Sequence, residues 1–582
     1  MDVLKSLLLT IHSWLHLLPG FSIIEEYVLN ILDYIRLKVN SSCEAYSLEA
    51  WQIILLSVAV FVATQWLWDF IFSGEGAVAK VKKAVFRWVR KIPYVQRQIQ
   101  TEVSKTAKSM QDSFAKDLKP GMSFIRKLPF YGNSSDEVCR LAETYKSMRS
   151  LEFNRGRASG TLYNGGEELT ELNGQIYKMF AWTNPLHGDV FPDIRKMEAE
   201  VVQMCINMFN GGSEACGTMT SGGTESIMLA CKAYRDRAIR QGIQHPDMVV
   251  PRSAHAAFEK ACQTFGIKFI PVPADPVTMK VDVRKMKKLI TRNTCMLVGS
   301  TPDFPTGVMD PIEEISALGA KYNIPVHVDA CLGGFLIPFM EKAGYPLPLF
   351  DFRLPGVTSI SCDTHKYGFA PKGSSVVLYS SVEMRRYQYY VITDWPGGIY
   401  ATPTFGGSRP GAIIAACWAT MVHYGETGYI NTTRKIIDTA RYIKQEVAEI
   451  PGLFVYGDPL VSVIAIGSLD FNIFRLTEAL TKRGWSLNAL QFPSCFHICC
   501  TLLHTLPGVA DEFLADVREC TAVIMADPQQ KATGMAALYG MSQTIPDRSL
   551  VGELVMEYLD ALYDTSYSSK SPSMSNGHAT HS

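Results

Sequence analysis

The sequence lacks an excess of charge of either sign. Lysine plus arginine and aspartate plus glutamate each number 56 among 582 residues, and only 19% of the residues are charged. Proteins that bind nucleic acid carry a basic surface, so we expect no nucleic-acid partner. The apolar fraction of 47% excludes a largely disordered chain. Because the length exceeds what one compact core accommodates, we expect two domains and an N-terminal extension.

Paired cysteine and histidine motifs are also absent. The 14 cysteines are scattered, with no CxxC pair and none of the spacings of a zinc site. We therefore predict neither a structural metal nor a disulfide framework. Such cysteine usage in a large chain is typical of a reducing compartment, which favours a cytosolic catalytic part. Cys499 and Cys500 are interpreted as small apolar residues of a buried strand.

One long apolar run lies near the N-terminus. Residues 50–68 read AWQIILLSVAVFVATQWLW, contain no charged residue and are long enough to cross a bilayer. A buried core helix is the alternative interpretation. Tryptophans near both ends suit the two membrane interfaces, and the basic residues that follow indicate a cytosolic C-terminal side. We predict a transmembrane helix at 48–72, a lumenal segment at 1–47 and a single-pass protein.

The flanks of this run carry three further predictions. Asn40 begins an Asn-Ser-Ser sequon on the lumenal side and is a candidate glycosylation site. Residues 73–125 form a basic, helix-prone connector, which is either a solvated helix or a contact for anionic lipid headgroups. Residues 565–582 are rich in serine and lack apolar periodicity, so this tail is predicted to be disordered.

The central part of the chain has the pattern of an α/β fold. From about Glu198, helical stretches alternate with short β-branched runs, which indicates a mostly parallel sheet with helices on both faces. We predict an N-terminal segment of the catalytic region at 126–195, a large domain at 196–420 and a small α+β domain at 421–564. The predicted strands are 248–251, 295–300, 325–328, 357–362 and 374–379.

Polar residues follow several of these strands, at the edge where open α/β sheets bind ligands. The Gly222-Gly223 turn and Thr224 precede a helical pattern and offer a phosphate cradle, although a simple helix cap is the alternative. His255 is either a stacking surface for a planar cofactor or a structural histidine. Asp329 ends an apolar run and requires a partner, which could be a protonated pyridine nitrogen or the next helix.

Lys366 adds a reactive amine after the fourth predicted strand. An amine that forms a Schiff base must lose its proton, and we expect apolar or cationic surroundings to lower its pKa. A surface lysine is the ordinary alternative. The order of phosphate turn, stacking ring, carboxylate and lysine along one sheet predicts a pyridoxal 5'-phosphate (PLP) enzyme with the cofactor on Lys366.

The same residues belong to motifs that resemble those of the sphingosine-1-phosphate lyases, which are group II decarboxylase-like enzymes of the PLP-dependent transferase-like type I fold. The resemblance covers nearly the whole chain and implies an endoplasmic reticulum protein. The motifs are GRASGTLY (156–163), NPLH (184–187), TSGGTES (220–226), SAHAAF (253–258), HVDACLGG (327–334), DTHKYGFAPKGSS (363–375), TDWPGGIYATPT (393–404) and GSRPG (407–411).

By position, the resemblance implies a role for each of these residues. It makes Lys366 the Schiff-base lysine, Asp329 the partner of the pyridine nitrogen and His255 the stacking ring. The implied cofactor-phosphate ligands are Gly223, Thr224 and His365, together with Gly407 and Ser408 from the neighbouring subunit of a homodimer. The implied substrate-phosphate ligands are Tyr163, His187 and Lys372, and Tyr400 lines the same cleft.

The resemblance also implies a reaction. A phosphorylated sphingoid base would be cleaved between C2 and C3 in retro-aldol fashion, giving phosphoethanolamine and a long-chain aldehyde. The membrane span would let the enzyme take its substrate from the bilayer, which an alkyl chain favours by about 0.8 kcal/mol per CH2. The base for the C3 hydroxyl stays open between Lys366, Lys372, Tyr163 and the substrate phosphate.

Two alternatives remain at this point. An amino-acid decarboxylase would share the fold and the cofactor residues, but it would need a cation for the α-carboxylate of its substrate. A membrane-tethered scaffold could keep the fold without catalysis, although the presence of Lys366, Asp329 and His255 argues against it.

Overall fold

The computed structural model describes residues 88–119, 122–149, 153–530 and 549–567, together with scattered positions between 30 and 86. Asn40, most of the predicted membrane span at 48–72 and the tail beyond 567 lie outside the described residues. Among the residues that are described, no helix is both long enough and apolar enough to cross a membrane. Two compact units are formed, one by residues up to 116 with 549–567 and one by residues 117–530.

The α-helices of the described residues are α1 Pro93–Asp117, α2 Ser135–Lys146, α3 Glu167–Phe180, α4 Pro192–Met208, α5 Gly223–Arg240, α6 Ala257–Phe265, α7 Val283–Leu289, α8 Ile312–Tyr322, α9 Ile337–Met340, α10 Val382–Arg386, α11 Gly411–Ala448, α12 Ile473–Lys482, α13 Val509–Met525 and α14 Ser549–Tyr563. Short 3-10 helices lie at Phe153–Arg155 and Leu502–Thr505.

The strands are β1 Cys216–Thr220, β2 Asp247–Pro251, β3 Lys268–Val272, β4 Thr294–Ser300, β5 Val326–Asp329, β6 Val357–Cys362, β7 Ser375–Tyr379, β8 Tyr390–Ile392, β9 Tyr400–Thr402, β10 Phe454–Val455, β11 Val463–Gly467, β12 Asn488–Leu490 and β13 Cys495–Cys499.

The smaller unit pairs α1, which lies in the predicted basic connector, with α14. The ring of Phe114 packs on that of Tyr558 at 5.8 Å between centroids. An ion pair of 2.6 Å joins Arg90 and Glu553. These contacts join the two helices across more than 400 residues of sequence.

The large sheet has seven strands in the order β1-β7-β6-β5-β4-β2-β3. Only β7 runs against its neighbours, so the prediction of a mostly parallel sheet is confirmed. The five predicted strands agree with β2, β4, β5, β6 and β7 to within one residue at each end. The central strands β4 and β5 are buried along their whole length, as expected for strands covered on both faces.

The C-terminal part forms a second, antiparallel sheet in the order β10-β11-β13-β12. Helices α12 and α13 cover it with residues such as Leu476, Leu480 and Phe513, which are fully buried. Helix α11 leads from the large sheet to this one and is interrupted at Gly425, where φ is 56° and ψ is −178°. The predicted boundary at 420/421 therefore falls inside α11.

Cys499 ends β13 and Cys500 follows it, and both side chains are buried, as predicted from their sequence context. The 13 cysteines of the described residues are all free thiols. No group of three or more potential metal ligands occurs in the described part of the chain.

Candidate active site

A cavity of about 390 Å³ lies at the carboxyl edge of the large sheet, and we call it the lysine cavity. The parallel strands β1, β2, β5 and β6 all end at this edge, so the residues that follow them converge there. The lining includes five of the predicted cofactor residues. These are Gly223, Thr224, His255, His365 and Lys366.

Lys366 is paired with a carboxylate in the lysine cavity. Its Nζ lies 2.9 Å from Oδ2 of Asp363, and their side chains are 22% and 2% exposed. Burial disfavours the charged form of both groups, but their mutual attraction outweighs it. The pKa of Lys366 is raised and the pKa of Asp363 is lowered. Our expectation of a lowered lysine pKa is therefore wrong, because Asp363 stabilises the ammonium.

The glycine turn places the start of helix α5 against this pair. Gly222 is the N-cap residue, and Thr224 is the second residue of the helix. The backbone N–H and the hydroxyl of Ser221 both donate to Glu225 Oε2 at 2.7 Å, which fixes the turn. A Cβ atom on Gly223 would lie 2.8 Å from both carboxylate oxygens of Asp363. Only glycine therefore allows the helix N-terminus to approach the lysine pair so closely.

Asp329 is the last residue of β5 and is 6% exposed. Its Oδ1 accepts hydrogen bonds from the backbone N–H of Cys331 at 3.0 Å and from the Ser361 hydroxyl at 3.3 Å. Oδ2 accepts none from the residues that the structure describes. One carboxylate oxygen is thus fixed by the protein, which leaves the other for a further donor.

His255 follows β2 and is exposed in the chain without cofactor. Its Nδ1 accepts a hydrogen bond of 3.1 Å from the backbone N–H of Ala257 at the start of α6. This bond fixes one edge of the ring and leaves its faces for stacking.

His365 separates the lysine cavity from a second cavity of about 170 Å³, which we call the Lys372 cavity. Its Nδ1 accepts from the backbone N–H of Ser374 at 3.2 Å. Burial lowers the pKa of His365 in spite of the nearby Asp363 carboxylate, so the ring is neutral near pH 7. With Nδ1 as acceptor, Nε2 carries the proton and is a donor.

The Lys372 cavity contains two of the predicted substrate-phosphate ligands. Lys372 Nζ lies 4.8 Å from the ring centroid of Tyr163 and donates to the His365 carbonyl at 3.4 Å. Burial and the charge of Lys366 lower the pKa of Lys372. Burial and the neighbouring Cys499 thiol raise the pKa of Tyr163, which therefore keeps its proton. The cavity offers a cation and a hydroxyl donor side by side.

Tyr367 joins the lysine loop to the second sheet. Its hydroxyl lies 2.6 Å from Ser462 Oγ and donates to the Cys500 carbonyl, also at 2.6 Å. Its ring meets that of Tyr163 edge-on, with centroids 4.8 Å apart. The residue directly after Lys366 thus contacts both the small sheet and the Lys372 cavity.

Asp329 lines neither of these two cavities but bonds to Cys331, which lines the lysine cavity. The other predicted residues, Gly407, Ser408, His187 and Tyr400, also lie outside both linings. Ser408 lines a neighbouring cavity of about 200 Å³, which shares Ser221 and Glu225 with the lysine cavity. Its hydroxyl accepts from Asn184 Nδ2 at 3.0 Å. Gly407 lies so close to Tyr400 that a Cβ on it would be 2.6 Å from the tyrosine hydroxyl. His187 is exposed, three residues after Asn184.

From the sequence, Asp363 was one of the polar residues after the fourth predicted strand but had no assigned role, and Cys331 was not considered; both line the lysine cavity. Asp363 stands three residues before Lys366, a spacing that brings two side chains together in a turn, and this was an available signal. Cys331 gave none, because a cysteine two residues after a strand carries no pattern of its own.

The residues of the lysine cavity fit a PLP molecule. The cavity has the size of a small cofactor site. Oδ1 of Asp363 is buried and has no hydrogen-bond partner among the described residues, and it lies next to a helix N-terminus suited to a phosphate. A lysine amine, an imidazole face and a strand-end carboxylate complete the donor set that such a cofactor requires.

Comparison with known proteins agrees with this site. Residues 160–465 match the pyridoxal-dependent decarboxylase conserved domain. Sphingosine-1-phosphate lyase 1 of Mus musculus is 51% identical over 548 residues, 94% of this chain and 95% of the relative. The Saccharomyces cerevisiae lyase is 40% identical over 567 residues, 96% and 92% of the two chains.

A solved structure extends the comparison to three dimensions. The sphingosine-1-phosphate lyase of Burkholderia pseudomallei superposes with a TM-score of 0.70 at 37% identity, covering 77% of this chain and all of that one. Identity of this level over most of both chains establishes common descent, so this PLP-dependent chain belongs to the sphingosine-1-phosphate lyase family.

Proposed function

We propose that this chain is a PLP-dependent carbon-carbon lyase that cleaves phosphorylated sphingoid bases to phosphoethanolamine and a long-chain aldehyde. One observation carries the proposal: the lysine cavity adjoins a second cavity that holds Lys372 and Tyr163, and His365 lines both. His365 thus lies between the amine of Lys366 and the phosphate-binding groups of the Lys372 cavity. A substrate that carries both an amine and a phosphate requires two such neighbouring sites.

The residues of the lysine cavity, together with Asp329 beside its lining residue Cys331, would each hold one part of PLP. Lys366 supplies the amine, the N-terminus of α5 with Thr224 faces the phosphate, and His255 supplies the stacking ring. Asp329 offers its second oxygen to the ring nitrogen and keeps it protonated. When bound, PLP supplies an electron sink for the pair released by the breaking bond.

The Lys372 cavity would bind the substrate phosphate. A lysine ammonium and a tyrosine hydroxyl make charge-assisted hydrogen bonds to phosphate oxygens. The neutral His365 lies in the wall between the cavities, and its Nε2 is 3.7 Å from Asp363 Oδ2 in the lysine cavity, where it would donate to the cofactor phosphate. Because Tyr163 keeps its proton and Lys372 binds the phosphate as an ammonium, we assign both as donors and infer that the C3 hydroxyl proton passes to freed Lys366 or the substrate phosphate.

The test compares a phosphorylated sphingoid base with its unphosphorylated form on the purified holoenzyme. We expect aldehyde release from the phosphorylated base only. Carbon dioxide release from an amino acid, without aldehyde from either base, would favour the decarboxylase instead. An enzyme without PLP absorbance and without either activity would favour the scaffold.

Membrane attachment is a further part of the proposal. The uncharged run at 50–68 and the basic residues after it support one span with a lumenal N-terminus in the endoplasmic reticulum membrane. Glycosylation of Asn40 follows from that orientation. A shift in electrophoretic mobility on glycosidase treatment that is lost in Asn40→Gln would support glycosylation and the lumenal N-terminus. Resistance of the protein to alkaline extraction would support the membrane span.

We also propose a homodimer in which Gly407 and Ser408 complete the partner's cofactor site. The cavity lined by Ser408 shares Ser221 and Glu225 with the lysine cavity, so this loop lies beside the cofactor site, which supports a role in completing such a site. The test mixes an inactive Lys366→Ala chain with an inactive Gly407→Trp chain. Shared sites predict partial recovery of activity in the mixed dimer, and independent sites predict none.

A further inference from the structure

A third cavity has no part in the proposed reaction. It measures about 590 Å³ and shares no lining residue with the lysine cavity or the Lys372 cavity. Its walls come from α4, from the segment between Ile337 and Arg353, and from α11 around Gly425. This volume is within the range of sites that bind small ligands.

The apolar side chains of this cavity are buried and adaptable. Phe339, Phe350 and Met421 are between 4% and 6% exposed, and Met208 lines the opposite wall. Methionine side chains are flexible and fill irregular space, so a wall that contains them accommodates an alkyl chain without a fixed shape. The interior therefore suits a single hydrocarbon chain.

The rim of the cavity is acidic. The whole lining carries three carboxylates, of which Asp351 is buried, and two cations, which gives a formal charge of −1. Both cations are paired, Lys342 with Glu426 and Arg353 with Asp351. Glu341, in contrast, makes no ion pair within 4 Å to any described residue. Its charge acts on the Arg353 guanidinium, which is already paired with Asp351, so the charged lining keeps an excess of one carboxylate and is complementary to a cation.

One wall of the cavity contacts the lysine loop. Tyr429 lies one helical turn beyond the break at Gly425 and stacks on Phe339 at 5.3 Å between centroids. Its hydroxyl donates to the carbonyl of Gly368 at 2.9 Å. Gly368 is two residues beyond Lys366, so the cavity has a direct contact with the segment that carries the cofactor lysine.

We propose that this cavity binds one long-chain amine, with its alkyl chain in the methionine-lined interior and its ammonium at Glu341. The site is separate from the lysine cavity and goes beyond the cleavage reaction. A fatty carboxylate has the right chain but the wrong charge for this rim, and a phosphorylated base brings excess negative charge.

The probe is N,N-dimethyldodecylamine, a tertiary amine that forms no Schiff base with PLP and so leaves Lys366 out of the reaction. Calorimetric titration of the full-length holoenzyme should give one site per chain. The decyl analogue should bind about 15-fold more weakly, since each buried CH2 contributes about fourfold in affinity. Laurate should bind roughly fivefold more weakly, as expected for the loss of one exposed ion pair.

Matched variants locate the site. Met208→Trp and Leu349→Trp each place a ring in the cavity and should weaken binding at least tenfold, while Val422→Trp, on the exposed side of α11, should leave it unchanged. Glu341→Gln should remove the preference for the amine over laurate, and Glu314→Gln should keep it. Thermal unfolding checks that each variant is folded.

Three outcomes would overturn the proposal. The first is binding that never saturates, and the second is binding that survives both tryptophan variants in folded protein. The third is binding that appears only when the protein is diluted, because a second copy of the chain would then cover the cavity.

Discussion

Replacing Asp363 with asparagine tests what keeps Lys366 charged. The carboxylate lies 2.9 Å from Nζ and raises the pKa of a lysine whose burial would otherwise lower it. A hydrogen bond between charged groups contributes about 1.5–3 kcal/mol. Since 1.36 kcal/mol corresponds to one pKa unit, the variant should lower the pKa of Lys366 by about one to two units.

The assay follows attachment of the cofactor rather than turnover. Only the neutral amine attacks the PLP carbonyl, so the attachment rate follows the fraction of Lys366 that is unprotonated. In Asp363→Asn this fraction at neutral pH should rise about ten- to one-hundredfold for a shift of one to two units. We expect PLP absorbance to appear faster in the cofactor-free variant, with the pH midpoint of the rate moved downward.

Asp363→Glu is the matched control, because it keeps the negative charge. Its pH midpoint for PLP attachment should move by less than half of the shift seen in Asp363→Asn. Chemical unfolding of both variants verifies that they are folded. An unchanged or higher midpoint in folded Asp363→Asn would refute the assignment of Asp363 as the group that stabilises the ammonium.

Three other substitutions test the site. Lys366→Ala should abolish both the visible absorbance of bound PLP and turnover, and an active variant would remove the central claim. Gly223→Ala should weaken PLP retention in dialysis by about ten- to one-hundredfold, because overpacking against Asp363 costs roughly 1–3 kcal/mol. Gly212→Ala is the control, since a Cβ atom at Gly212 would meet nothing within 4 Å. Lys372→Met should raise the KM for the phosphorylated substrate at least tenfold, because it removes a charge-assisted hydrogen bond of about 1.5–3 kcal/mol. The absorbance of bound PLP should stay intact. Equal KM values for the variant and the parent enzyme would exclude a role of Lys372 in phosphate binding.

In the large sheet, the strands with an apolar run were predicted from the sequence. The two strands without such a run, β1 and β3, were not. β1 reads CGTMT, and its small and polar residues resemble a turn although all five are buried. β3 lies at the edge of the sheet and contains Pro271, which an edge strand tolerates and which argues against a strand in sequence. Neither strand has the apolar run from which the other five were predicted.

The candidate site was predictable to the extent that it depends on strand order. Thr224, His255 and Lys366 follow strands that end at one edge, so their convergence follows from a parallel sheet. The sign of the lysine pKa shift was not predictable, because it depends on the direction in which the Asp363 side chain points. The cavity at Gly425 could not be predicted either, since it results from the packing of distant segments around an interrupted helix.

The hydrogen bonds of Tyr367 limit how freely the C-terminal sheet could be exchanged in a chimaeric enzyme. A graft that replaced the chain from β10 onward would have to supply a hydroxyl at position 462 and a correctly placed carbonyl at position 500. Without them, a buried phenol next to the cofactor lysine would lose its partners, which costs about 1–3 kcal/mol. The two sheets should therefore be exchanged together. In recombination between family members, the junctions should lie before Tyr367 or after Cys500.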